Sequence, residues 1–242
     1  MWTPTLRKSE LSKGDYLTLP VSPRRATEVL VVLTIMVIAM GGMIRIYDAG
    51  ESCPDWPTCF GTFGFDISEE EQGEWWDENP DEADSRGSGH RYTSFQIFTE
   101  WFHRLLAGAL VGPLVIVNWF LVRKEIWNSP RVRGVSSLTL ALILWQGAIG
   151  WLTVKFDNEN WSVAIHLGSA LAFLISLIWL WIEIRRDEED LPNWISFDPL
   201  VGMKWRKWIG VLSFSTLITL FSGVYVSTTP GANYGCGVGG ML

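Results

Sequence analysis

Of the chain's three histidines, two fall where imidazoles are rare. His90 belongs to a polar stretch, whereas His103 and His166 sit inside long apolar runs, each about five or six residues from one end. At a rise of about 1.5 Å per residue, both lie roughly 8–9 Å below the same surface. Two imidazoles from different helices at matched depth can face one another across a bundle interior, which is the geometry of bis-histidine haem ligation. A single intramembrane histidine more often hydrogen-bonds a neighbouring helix, for about 0.6 kcal/mol. Two at equal depth, with no other intramembrane histidine, favour ligation.

Glu100 and His103 are spaced i, i+3 and share a helix face, and Arg104 follows directly. A buried carboxylate there can orient a ligand imidazole, bind a proton or contact a polar substrate group. An arginine near the rim suits a haem propionate. At i, i+4, Glu100 and Arg104 also match an ordinary helix-surface ion pair, and that alternative stays open. Gly108, Gly112, Gly147, Gly150 and Gly168 permit close helix approach and leave room for a flat group. Cys53 and Cys59 enclose five residues that include Pro54 and Pro57, a composition that favours a compact turn. On an oxidising face of a membrane they are expected to form a disulfide. Their spacing is neither a C-x-x-C redox motif nor a C-x-x-C-H haem-attachment motif.

The elements that must position these residues are set by hydropathy. Hydrophobic residues make up 48% of the 242, with 15 tryptophans, and they gather into long runs instead of the short alternating segments of a soluble core. Five stretches are long enough to cross a hydrocarbon core of roughly 30 Å: 26–46, 97–122, 135–155, 161–184 and 206–228. Each must be helical, because backbone groups in lipid have no water to bond. The predicted fold class is therefore all-α, a polytopic membrane bundle embedded in lipid. The first run opens only after a polar lead with Arg7, Lys8, Lys13, Arg24 and Arg25 and has no A-x-A-like site behind it, so it is expected to be a retained helix.

The net charge of −7 averages over one acidic loop and several basic ones. Segment 1–25, the 123–134 loop with Arg123, Lys124, Arg131 and Arg133, and the 185–207 loop with Arg185, Arg186, Lys204, Arg206 and Lys207 are basic. The positive-inside rule assigns them to the cytoplasm of a multi-pass cell-membrane protein. The 47–96 loop, the 156–160 turn and the C-terminal tail then lie outside. No nucleic-acid partner is predicted. From Asp66 to Asp84 the long loop is acidic with no Lys or Arg, which predicts a solvated, mobile insertion, and no EF-hand spacing appears in it.

An internal repeat completes the organisation. Gly41-Gly42-Met43-Ile44-Arg45, then Gly50 and Cys53, is matched by Ser222-Gly223-Val224-Tyr225-Val226, then Gly231 and Cys236. The expected layout is a four-helix haem-binding bundle over 26–184 with outer loop 47–96, a cytoplasmic loop over 185–205, and over 206–242 the first helix and partial outer loop of a second, truncated bundle. With Cys236 lacking an evident partner, the sequence reads as a fragment of a longer duplicated protein.

Several motifs together resemble the haem A synthase family. Gly41-Gly42-Met43-Ile44-Arg45 running into Gly50-Glu51-Ser52-Cys53-Pro54-Asp55-Trp56-Pro57-Thr58-Cys59 looks like that family's first helix and cysteine loop. Glu100-Trp101-Phe102-His103-Arg104-Leu105-Leu106-Ala107 resembles its second-helix signature. Gln146-Gly147-Ala148-Ile149-Gly150-Trp151-Leu152-Thr153-Val154, followed by Trp161-Ser162-Val163-Ala164-Ile165-His166-Leu167-Gly168, is similar to its third and fourth helices.

The resemblance implies an eight-helix protein of two pseudo-symmetric bundles, each offering a histidine pair to a haem. It implies oxidation of the C8 methyl of haem O to a formyl group, giving haem A for terminal oxidases. His103 and His166 would be the haem-binding and iron-ligating pair of the first bundle and Glu100 the functional carboxylate, while Arg104 is expected from its place near the rim to bind a haem propionate. Cys53 and Cys59 would be the outer cysteine pair. A haem b is expected in the second half, and haem O synthase, terminal oxidase components and a second copy of the chain are the implied partners. The acidic insertion and the absence of a second histidine pair depart from the pattern. The competing classes are a non-catalytic bis-histidine electron-transfer protein and a cofactor-free oxidase assembly factor.

Overall fold

The computed structural model describes residues 21–82, 86–124, 129–195 and 199–228. All regular structure among them is helical: α1 Pro23–Ile46, α2 Glu69–Glu78, α3 Ser94–Arg104, α4 Gly112–Lys124, α5 Pro130–Lys155, α6 Asn160–Asp187 and α7 Pro199–Thr228. A π-helical stretch, Leu105–Val111, joins α3 to α4, so Ser94–Lys124 is one continuous span. Five spans are long and apolar enough to cross a membrane. They cover the five expected stretches and extend several by a few residues, because capping chemistry lies just outside the apolar runs. Ser22, Thr93 and Ser129 cap α1, α3 and α5, and Gln96 closes a capping box with Thr93.

Four spans form the bundle. α1 packs on the α3–α4 span and on α6, α4 packs on α5, and α5 packs on α6, so neighbours close a ring. The α3–α4 span and α6 are diagonal partners across its axis, as are α1 and α5. Leu30, Val111, Val115, Phe173 and Leu177 fill the middle of the bundle. Val122, Val132, Val135, Leu180 and Ile184 fill the end nearest the basic segments. One interhelical polar contact sits in this core, Asn118 Nδ2 donating to Thr27 Oγ1 at 2.9 Å. α7 lies along α6 and is exposed over most of its surface. The parts of the predicted layout that include residues 1–20, Gly231 and Cys236 lie outside the described residues.

The π-helical stretch has a chemical cause. Pro113 has no N–H and its ring crowds the preceding turn, so the regular ladder cannot run through it. The Gly112 N–H bonds to the Ala107 carbonyl, five residues back. This irregular turn begins directly after Arg104.

Residues 66–82 of the expected mobile insertion instead form an ordered cap on one end of the bundle. Ser68 and Glu71 form a capping box that starts α2. Gln72 and Trp76, four residues apart, bury one face while Glu69, Glu70, Glu74, Asp77 and Glu78 stay exposed on the other. The Gln72 side chain brackets Tyr92, its Nε2 donating to the Tyr92 carbonyl at 3.0 Å and its Oε1 accepting the Tyr92 N–H at 2.8 Å. Cys53, Cys59, Phe60, Ile67, Trp76, Tyr92 and Ile97 make a small apolar core of their own. Counting charges alone predicts solvation; the helical spacing of Gln72 and Trp76 within the acidic run wins instead. No group of three or more metal-ligating side chains occurs among the described residues.

Candidate functional site

The site lies between the apolar middle of the bundle and the cysteine-loop cap. His103 comes from α3 and His166 from α6, the diagonal pair of the ring. Helix register does not make them strictly equivalent: His103 is the tenth residue of α3 and His166 the seventh of α6. The capping box at Thr93 starts α3 three residues before the expected stretch, which accounts for the difference.

Each ring faces a glycine. A Cβ built at Gly41 of α1 would stand 3.5 Å from His103 Cε1, and one at Gly150 of α5 would stand 3.0 Å from His166 Cε1. A Cβ at Gly150 would press on the His166 imidazole and one at Gly41 would reach ordinary contact with His103, so these glycines mark close approach, not turn geometry. The His103 ring approaches the Val37 backbone of α1, and its buried Nδ1 makes no hydrogen bond of good geometry. A ring nitrogen that the protein leaves without a hydrogen bond is available to a group bound between the helices. Two imidazoles on opposed helices, an unsatisfied ring nitrogen and bare backbone beside both rings fit a flat porphyrin held from two sides.

His166 is held more tightly. Gln146 Nε2 lies 3.2 Å from its Nδ1 and donates to its backbone carbonyl at 3.1 Å. Ser169 Oγ donates to Gln146 Oε1 and stands 3.1 Å from the His166 carbonyl. The sequence motif of α5 contains Gln146 without marking a role for it, and Ser169 falls just beyond the motif that ends at Gly168. An amide in the middle of an apolar run, four residues from Gly150 on the same helix face, was the available signal.

Glu100 and Arg104 form the ion pair that was one of the two open alternatives. Arg104 Nε is 2.7 Å from Glu100 Oε1, and Glu100 is only 6% exposed. Arg104 reaches further, donating through Nη1 to the Asp55 carbonyl at 2.6 Å and through Nη2 to the Cys53 carbonyl at 2.7 Å. Three of its five N–H donors are thus engaged with Glu100 and the cysteine loop. The guanidinium binds the loop to the helix that carries His103.

Cys53 and Cys59 are bonded as a disulfide and buried. The intervening turn contains a cis Trp56–Pro57 bond, and Asp55 Oδ2 accepts from the Gly61 N–H at 3.0 Å and from Thr58 Oγ1. Ser52 Oγ, in the same turn, lies 3.0 Å from the Gln96 carbonyl of α3. Glu100, His103, Arg104, Cys53 and Cys59 therefore form one connected unit, and His166 lies on α6, the helix diagonal to it. His90 lies in the cap, its ring edge-on to Tyr92 at 4.7 Å, and plays no part in this unit.

The family model described as cytochrome oxidase assembly protein, COX15-CtaA, matches residues 24–235. The heme A synthase of Shewanella oneidensis is 33% identical over 160 residues, covering 65% of this chain and 45% of that protein. The heme A synthase of Roseobacter denitrificans is 27% identical over 229 residues, covering 86% of this chain and 56% of its own length. A heme A synthase–mitochondrial ferredoxin fusion protein of Schizosaccharomyces pombe is 26% identical over 167 residues, covering 61% of this chain and 26% of the fusion. The chain thus spans about half the length of the curated bacterial relatives it matches. No solved structure matches it. This five-span membrane chain belongs to the COX15-CtaA family, the family of the haem A synthases.

Proposed function

We propose that this chain builds the substrate bundle of a haem A synthase, in which His103 and His166 hold haem O while its C8 methyl is oxidised to a formyl group. The observation that carries this is the pair of imidazoles on diagonal helices, one with an orphaned buried nitrogen, each against a bare glycine. Kinship with proteins named heme A synthase supplies the reaction class.

Bound haem contributes the redox-active iron, chemistry that no side chain performs unaided. The chain's own residues bind and orient the porphyrin and handle protons. Glu100, on the same helix face as His103, would hold or pass a proton beside the bound haem, and Arg104 keeps that carboxylate in place. The two Arg104 donors not engaged with Glu100 and the loop remain for a propionate. The cap of cysteine loop and α2 restricts water at that end. In this reading the cap lies on the outer side of the cell membrane and the basic segments in the cytoplasm. A second bundle with its own histidines would carry haem b, and haem O synthase, terminal oxidase components or a second copy of the chain are the partners.

The reading is tested by an absorption spectrum of the purified chain reconstituted with haem. A Soret band that is lost in His103→Ala and in His166→Ala is expected. A protein that stays colourless under reconstitution overturns it.

A further inference from the structure

Helix α5 places two unlike residues against the same imidazole, one turn apart. Gln146 approaches the Nδ1 side of His166, and Gly150 leaves bare backbone at the Cε1 edge. A primary amide buried in an apolar span is costly unless its donors and acceptor are used. Here they are: Nε2 serves His166 Nδ1 and the His166 carbonyl, and Oε1 accepts from Ser169 Oγ. Such a fully engaged amide has few orientations open to it, and its contact with Nδ1 limits where the ring can turn.

We propose that Gln146 is the positioning residue for His166, fixing the ring's orientation through Nδ1 and setting how strongly Nε2 donates to a bound haem iron. This deepens the haem-site reading and rests on it. A neutral imidazole that ligates through Nε2 carries its proton on Nδ1, which then needs an acceptor. With Gln146 Nε2 donating to Nδ1, the ring carries its proton on Nε2, the tautomer that cannot ligate there. Rotating the amide about its last torsion brings Oε1 to Nδ1–H. Ser169 Oγ then accepts from Gln146 Nε2 and donates to the His166 carbonyl 3.1 Å away, while Oε1 draws back from that carbonyl, which Nε2 had approached at 3.1 Å. Haem ligation and amide rotation are therefore coupled events at one residue pair.

The test uses the purified full chain titrated with hemin, and it reads the haem midpoint potential and the Soret spectrum, neither of which depends on turnover. In Gln146→Glu, a stronger acceptor at Nδ1–H makes His166 a better donor and shifts the potential in the negative direction. In Gln146→Leu the acceptor is gone, and the potential shifts in the positive direction with weaker hemin binding. Ser169→Ala, which loosens the amide without removing it, shifts the potential with the Leu sign and by less. It keeps the proposal testable where Gln146→Leu fails to fold. A defect in packing alone would move the Glu and Leu variants the same way. Shifts of the same sign, or no shift while His166→Ala still alters the spectrum, overturn the Gln146 proposal alone. A wild-type chain that takes up no hemin, or a His166→Ala variant with an unchanged spectrum, overturns the haem-site reading beneath it.

Discussion

Gly150→Ala tests how closely the bundle backbone approaches His166. The added methyl would stand 3.0 Å from His166 Cε1 and 3.6 Å from Nδ1. Carbon atoms pack comfortably at about 3.5–4.0 Å, so the ring must retreat by roughly half an ångström. It cannot do so freely, because the retreat strains the 3.2 Å contact between Nδ1 and Gln146. Overpacking of this kind costs about 1–3 kcal/mol. The substitution also gains about 1 kcal/mol of helix propensity, but that gain is common to the free and haem-bound protein and cancels from the affinity. Only the part of the overpacking cost that ligation adds, by holding the ring where the free protein lets it turn away, weakens hemin binding, so the loss should reach at most about 150-fold, at about 1.4 kcal/mol per factor of ten.

Gly147→Ala is the matched control, since a Cβ there meets nothing within 4 Å. It should leave hemin affinity unchanged and raise thermal stability by up to about 1 kcal/mol. Gly41→Ala, with its nearest contact at an ordinary 3.5 Å, should fall between the two. The assay is a Soret titration of the purified chain in detergent or nanodiscs. Equal hemin affinity in the Gly150→Ala and Gly147→Ala variants would refute the packing argument.

Three further outcomes follow from the same structure. Removing one partner of the buried Glu100–Arg104 pair, by Glu100→Ala or Arg104→Ala, should cost about 3–5 kcal/mol. Limited proteolysis should detect a looser cysteine loop in Arg104→Ala, because the Cys53 and Asp55 carbonyls lose their donor, and unchanged cleavage would count against the clamp. Asn118→Leu removes one interhelical hydrogen bond worth about 0.6 kcal/mol together with an unsatisfied buried Oδ1, so thermal unfolding should shift little; a large drop would mean that the contact with Thr27 organises the bundle. Glu71 is held below the usual carboxylate range by its hydrogen bonds with Ser68, the backbone one first. A depressed folded pKa gives stability that is present above the unfolded value and is lost as pH falls through the folded value. The α2 cap should thus loosen on acidification below about pH 4.5. Hydrogen exchange across α2 in wild type and Glu71→Gln checks this, and an identical pH profile in both would contradict it.

Much of the bundle was legible because membrane spans are written in long apolar runs, and the ends of the α1, α3 and α5 spans moved only where Ser22, Thr93 and Ser129 add a cap. Of the site, His103 and His166 stood out because charged or titratable residues in such runs are scarce. Their diagonal placement was not legible, since it depends on which helices become neighbours. Arg104 illustrates a second limit: its i, i+4 partner Glu100 is readable from spacing, but the Cys53 and Asp55 carbonyls come from a loop about fifty residues away. In α2 the charges concealed the pattern, for Gln72 and Trp76 carry the packing while Glu69, Glu70 and Glu74 dominate the composition. The π-helical turn was implicit in Pro113, though the residue that would receive the displaced hydrogen bond was not.

The central claim, that this bundle presents haem O for oxidation to haem A, is tested most directly by extracting and chromatographing haems from cells that express the full-length gene beside a source of haem O. The account predicts haem A in wild type, and its loss in Glu100→Ala with some haem still bound to the protein. Only haem O and haem B in the wild-type extract would contradict it.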